Sequence, residues 1–147
     1  MDNTLEEARN RLNADLREAY SKTTIDHILH PRNTERLQQP DGFASCLGSC
    51  GEKMEIWIKV RGNIVEDASF WTDGCAATIA CGSMSTELAK GKSVAQALAV
   101  KAQDIAGALV ELPEGNLHCA ELASNTLRAA LLDHIALQRN GWKKAYR

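Results

Sequence analysis

The apolar residues change period in the middle of the chain, and that change limits what the chain can fold into. Met54, Ile56, Ile58 and Val60 alternate with polar neighbours, Arg61-Gly62-Asn63 forms a turn, and 64–72 returns as a second β-rich run. Two such runs around a Gly-Asn turn predict a β-hairpin. A third strand is expected over 43–47. On both sides of this block the apolar positions fall at helical spacing instead. Leu5, Ala8, Leu12, Leu16 and Ala19 predict a helix over 4–20. A second helix is expected over 21–30, capped by Ser21 or Thr23 and ended by Pro31. A polar stretch runs from Arg32 to the Pro40-Asp41-Gly42 turn. After Gly74-Cys75 the text becomes alanine-rich and predicts a helix over 76–89, stopped at Lys90-Gly91-Lys92. Short helices over 93–99 and 102–109 follow, then a turn at Pro113-Glu114-Gly115-Asn116. The longest helix is expected over 119–139, terminated by Gly141. Helix, small antiparallel sheet, then helices is the order of an α+β domain with a three-stranded antiparallel sheet packed against helices.

Composition removes several classes of function. With 147 residues, 44 % of them hydrophobic, the chain can form one domain with a real core. Its net charge is -2 and it has no long Lys/Arg run, which argues against a nucleic-acid surface. The tail over 141–147 includes Trp142, Lys143, Lys144, Tyr146 and Arg147, and reads as a frayed helix end rather than a nucleic-acid or membrane contact. No apolar run approaches the roughly 18 residues of a membrane span. The N-terminus lacks the basic start and apolar stretch of a signal peptide, so a cytoplasmic location is expected. Five cysteines, an odd number without an export signal, read as thiols rather than a disulfide framework.

Three of these thiols fall at element boundaries. Cys50 stands before Gly51-Glu52 and the first strand of the hairpin. Cys75 follows Gly74 between strand and helix, and Cys119 follows His118 at the start of the last helix. Loops and exposed amides can present side chains from such places to one shared site, and a helix N-terminus biases a thiol toward thiolate. Gly48, Gly51 and Gly74 permit tight turns or close approach. No Cys-x-x-Cys pair is present, so spacing by itself does not distinguish a metal site from buried thiols. Cys46 and Cys81 fall where simple packing is expected, with a spare sulfur carrier or alternative ligand as the minority reading. His118 reads either as a ligand or ligand-exchange partner of a metal, or as a histidine bonded to a backbone carbonyl. Glu52 reads as a fourth ligand beside three thiolates, as a partner of His118 in a site with two thiolates, or as a solvated residue at the strand start. His27 and His30 flank a helix end and are expected to be surface or capping residues.

Several blocks together carry a family likeness. Tyr20-Ser21-Lys22, Ile25-Asp26-His27 and His30-Pro31-Arg32-Asn33 resemble the opening of the U-type iron–sulfur scaffold proteins, the NifU N-terminal domain family. Cys50-Gly51-Glu52-Lys53-Met54 resembles the family's Cys-Gly-Asp-x-Met. Asp73-Gly74-Cys75-Ala76-Ala77-Thr78-Ile79-Ala80 resembles its Gly-Cys-x-x-x-Ile-Ala. Glu87 with Gly91-Lys92, then Leu112-Pro113 and His118-Cys119, match later blocks. The likeness spans about residues 20–137, which divides the chain into an N-terminal helical extension over 1–19, a scaffold domain over 20–140 and a tail over 141–147.

The resemblance implies a SufE/NifU-like fold and a non-enzymatic scaffold. On it a [2Fe-2S] cluster is assembled from ferrous iron and persulfide sulfur, then passed to apo-proteins. It implies Cys50, Cys75 and Cys119 as cluster ligands, Glu52 in place of the family aspartate, His118 as the histidine, and Cys119 as the main persulfide acceptor. The implied partners are a cysteine desulfurase, an electron donor such as a ferredoxin, and recipient apo-proteins, with the chain a monomer or a cluster-bridged dimer. The same site often holds zinc in this family, and the alternative is a zinc-containing sulfur acceptor that stimulates a desulfurase without carrying a cluster. The chain lacks the insertion between the first two cysteines typical of that branch. The family's chaperone-recognition stretch, Leu-Pro-Pro-Val-Lys, is Leu112-Pro113-Glu114-Gly115-Asn116 here, which argues against dedicated chaperone binding.

Overall fold

Three strands form one antiparallel sheet in sequence order: Gly42–Leu47 (β1), Lys53–Arg61 (β2) and Ile64–Thr72 (β3). The computed structural model describes residues 2–110 and 112–139, so the tail over 141–147 lies outside the described residues. Gly62 and Asn63 join β2 to β3 with φ of 58° and 63°. Positive φ at both central residues is what a type I′ hairpin turn requires, and it matches the right-handed twist of the paired strands. Ala44 pairs with Ile56 and Ile56 with Phe70, and a bulge sits between Lys59 and Val60. One face carries the buried Met54, Ile56, Ile58, Ala68 and Phe70. On the other, Phe43 lies 5.4 Å from the Trp57 ring, and the Arg36 guanidinium sits 5.6 Å from the centre of that ring.

Six α-helices flank the sheet in sequence: Asp2–Ala19 (α1), Lys22–Leu29 (α2), Ala76–Ala89 (α3), Val94–Leu98 (α4), Ala102–Ala108 (α5) and Leu117–Arg139 (α6). α3 packs on β3 and α6 on β1. The α3 contact is close because Gly82 has no side chain, and a Cβ there would run into the Phe70 ring. Ser83, Thr86 and Thr126 are also buried, the two threonines donating to the carbonyls of Gly82 and Leu122. Among the described residues no helix is long and apolar enough to cross a membrane.

The expected elements are present, with three differences of physical interest. α6 begins at Leu117 rather than at residue 119, because the expected turn is a 3-10 helix, Glu114–Asn116, that feeds directly into it. α1 forms but packs on α2 only lightly, so its apolar stripe is left in solvent: Leu5 is 77 % and Leu12 58 % exposed.

The third difference is a correction. His30 caps α2 as expected and is exposed, but His27 is buried at 6 % exposure, with Nδ1 2.7 Å from Ser83 Oγ. The chain after Pro31 folds back onto α3, and the Arg32 amide donates to the same Ser83 oxygen at 2.9 Å. The Ser83 proton is therefore free to go to Nδ1, which favours a neutral ring protonated at Nε2. Burial and then the Arg32 charge hold the His27 pKa below its usual value, against the pull of Asp26 and Glu87. The unfolded chain then binds the proton more readily than the folded one. Stability should be full above about pH 6.5, the unfolded histidine value. It should fall as the pH drops from there toward the lower folded pKa, with a slope of at most about 1.4 kcal/mol per pH unit. Denaturant midpoints across this window check it: the slope should flatten in His27→Gln.

Candidate metal centre

The loop between β1 and β2 brings the first two candidate ligands together. It closes through Gly48 N–H to the Glu52 carbonyl at 2.7 Å and Gly51 N–H to the Gly48 carbonyl at 3.0 Å, with Gly51 at φ 82°. Glu52 folds back over Gly48, where a Cβ would overlap its carboxylate. The loop faces the start of α6. There His118 Nε2 lies 3.7 Å from Cys50 Sγ and 3.5 Å from Cys119 Sγ. One ligand atom each from Cys50, Glu52 and His118 lies within 4.8 Å of the other two. Both Glu52 carboxylate oxygens are buried and have no hydrogen-bond partner among the described residues. A buried acceptor pair left unsatisfied is costly, and a cation bound between Glu52, Cys50 and His118 would satisfy it. Thiolate, imidazole and carboxylate together suit zinc or iron.

Cys75 is linked to this group through Thr78 and Cys119. It is the N-cap of α3 and is exposed. Its Sγ lies 3.5 Å from Thr78 Oγ1, and Thr78 donates to Cys119 Sγ at 3.3 Å. Burial acts to raise the Cys75 thiol, but the Thr78 hydroxyl and the amides of Thr78 and Ala77 outweigh it and lower its pKa. Cys119 behaves oppositely. It is fully buried, and burial, only partly opposed by Thr78 and reinforced by Cys75, pushes it up to about 11. The expected helix-terminus bias toward thiolate therefore appears at Cys75. At Cys119, three residues into α6, desolvation overrides it.

All five candidate site residues thus join one chain of close contacts, drawn from the β1–β2 loop, the start of α3 and the start of α6. His118 and Cys119 are neighbours in sequence, yet both take part because the imidazole reaches across to Cys50. Glu52 is not a solvated strand-start residue. Cys46 is half-buried on β1 opposite Met54, and Cys81 is buried inside α3 with its pKa raised by burial, as packing residues would be. Sequence reasoning missed Thr78. The only signal was its position three residues after Cys75, which places both on one face of the helix.

A small antiparallel sheet backed by helices, with thiols, an imidazole and a carboxylate gathered at its end, defines an α+β domain that carries a candidate metal-ligand set. The chain belongs to the NifU-like N terminal domain family, which it matches over residues 19–140. It is 43 % identical over 124 residues to iron-sulfur cluster assembly scaffold protein IscU 1 of Archaeoglobus fulgidus, covering 83 % of this chain and 79 % of that one. It is 42 % identical to the IscU scaffold protein of Escherichia coli K12, covering 79 % and 94 % of the two chains. Among solved structures, a NifU-like N-terminal protein from Brucella abortus superposes with a TM-score of 0.67 at 14 % identity, over 80 % of this chain and 95 % of that one. A putative SUF-system scaffold from Fervidobacterium islandicum gives 0.66 at 20 %, over 78 % and 97 %. At those identities the two structures speak for the fold alone. The α+β reading and the family resemblance both hold.

Proposed function

We propose that this chain is an iron–sulfur cluster assembly scaffold, and that Cys50, Cys75 and Cys119 hold a [2Fe-2S] cluster completed by Glu52 or His118. The observation that carries the reading is the pair of buried, unpartnered Glu52 oxygens facing Cys50 and His118. Such an arrangement is unfavourable without a cation and favourable with one. Three thiolates suit iron and sulfide, and a carboxylate or imidazole in the fourth position holds iron less firmly than a fourth thiolate, which keeps the cluster removable.

Sulfur would arrive as the outer sulfur of a desulfurase persulfide. A thiolate attacks that sulfur, the S–S bond to the donor cysteine breaks, and the donor leaves as thiolate. Reduction of each transferred sulfur to sulfide then takes two electrons, one from a ferrous ion that becomes ferric in the cluster and one from an external donor such as a ferredoxin. Cys119 is the acceptor implied by the resemblance. Because it is buried, its attack requires neighbouring groups such as His118 to draw away, whereas Cys75 is already open to a partner. The chain then passes the finished cluster to recipient apo-proteins and turns over no substrate of its own.

The tight Cys50, Glu52 and His118 set also suits a single zinc ion, which favours one second reading: a zinc-bearing sulfur acceptor that carries no cluster. Anaerobic reconstitution with a cysteine desulfurase, cysteine, ferrous iron and reduced ferredoxin separates the two. The scaffold reading expects a visible cluster spectrum with iron and sulfide in equal amounts. A colourless protein that retains zinc and still accelerates the desulfurase would replace it with the second.

A further inference from the structure

We propose that Thr78 is a positioning residue for the cluster, its single hydroxyl holding Cys119 against Cys75 and drawing charge from the sulfur to which it donates. This rests on the reading of Cys75 and Cys119 as ligands.

Thr78 is 1 % exposed, so no water competes for its hydroxyl. Thr86 and Thr126 make the usual bond of a helical threonine, back to the carbonyl four residues earlier. The Thr78 hydroxyl instead points at sulfur, donating to Cys119 Sγ at 3.3 Å and lying 3.5 Å from Cys75 Sγ. The backbone makes room for this rotamer. A Cβ at Gly74 would come within 2.7 Å of the Thr78 side chain, so a residue larger than glycine there would displace the hydroxyl.

One hydroxyl carries one proton. It lies within reach of both sulfurs but can donate to only one of them at a time. With both sulfurs ligated as thiolates, the geometry assigns that bond to Cys119. A hydrogen bond to a ligating sulfur lowers the negative charge it offers the metal and raises the reduction potential of an iron–sulfur centre. The two ligands are then unequal, although both are cysteine.

The test uses the full chain as wild type, Thr78→Val and Thr78→Ser, each shown to be folded by circular dichroism and loaded anaerobically with cobalt(II). Loss of the hydrogen bond raises the energy of the sulfur lone pairs. The thiolate-to-cobalt charge-transfer band should therefore move to lower energy in Thr78→Val and return to the wild-type position in Thr78→Ser. The midpoint potential of the reconstituted cluster should fall in Thr78→Val and recover in Thr78→Ser. A clear band in wild type that Thr78→Val leaves unmoved, or a shift that Thr78→Ser does not reverse, overturns this inference alone. Wild-type protein that binds cobalt without any thiolate band removes the sulfur ligands and overturns both this inference and the site reading beneath it.

Discussion

Replacing Cys75 with alanine is expected to leave a folded protein that retains less than about a tenth of the wild-type cluster after reconstitution. The fold should survive because Cys75 is exposed, and truncating an exposed side chain outside the core shifts stability by no more than about 0.5 kcal/mol. The cluster should be lost because the remaining sulfurs, Cys50 and Cys119, leave the iron pair with two thiolates. Among the described residues, no hydrogen bond ties Cys46 on its strand or Cys81 inside α3 to the site. Visible absorption with iron and sulfide assays measures the loss, and far-ultraviolet circular dichroism confirms the fold. Wild-type yields from the variant would end the assignment of Cys75. Cys46→Ala serves as the control and should reconstitute normally.

Removing the carboxylate of Glu52 should change both the metal-free and the cluster-loaded state of the protein. Without metal, both its oxygens are buried and unpartnered. An unsatisfied buried polar group costs about 1–3 kcal/mol, and more if charged. Metal-free Glu52→Ala should therefore resist denaturant better than wild type, by about 1 kcal/mol or more. With a cluster bound, His118 would take the fourth position. The cluster should then become harder to remove, slowing transfer to an apo-ferredoxin. Glu52→Asp, which restores the family's residue, should transfer much as wild type does. Transfer from Glu52→Ala that is unchanged or faster would eliminate the weak-ligand argument. A metal-free variant less stable than wild type would mean that the carboxylate has a partner after all.

The hairpin and most helices were legible because each is written in a local period, two for 54–60 and three to four for 4–20 and the long last helix, while 76–89 was legible from its alanine-rich composition. The positions of the three boundary cysteines were legible for the same reason, since boundaries follow from where periods end. Their convergence was not local information and came from the family likeness. What stayed hidden depended on chain segments far apart. His27 is buried because the segment after Pro31 returns to Ser83, 56 positions later, and nothing near His27 in sequence announces that. Thr78 matters only because Gly74 clears space and Cys119 arrives from α6. The stripe on α1 was read correctly as a helix, but a stripe does not state whether a partner exists to cover it. The thiolate bias argued from helix ends worked at Cys75 and failed at Cys119 because burial, invisible in the sequence, is the larger effect there.

The site draws on three separate stretches of chain, with Cys50 and His118 lying 68 positions apart. A metal or cluster bound there would act as a clasp across a long loop, since any ligand held only by the folded form shifts the balance toward that form. Releasing such a cargo would remove the bonds proposed to tie Cys50, Cys75 and Cys119 to one another. The emptied protein should be the looser of the two states, with its buried thiol nearer to being uncovered, and that is the state in which a sulfur donor would need to meet it.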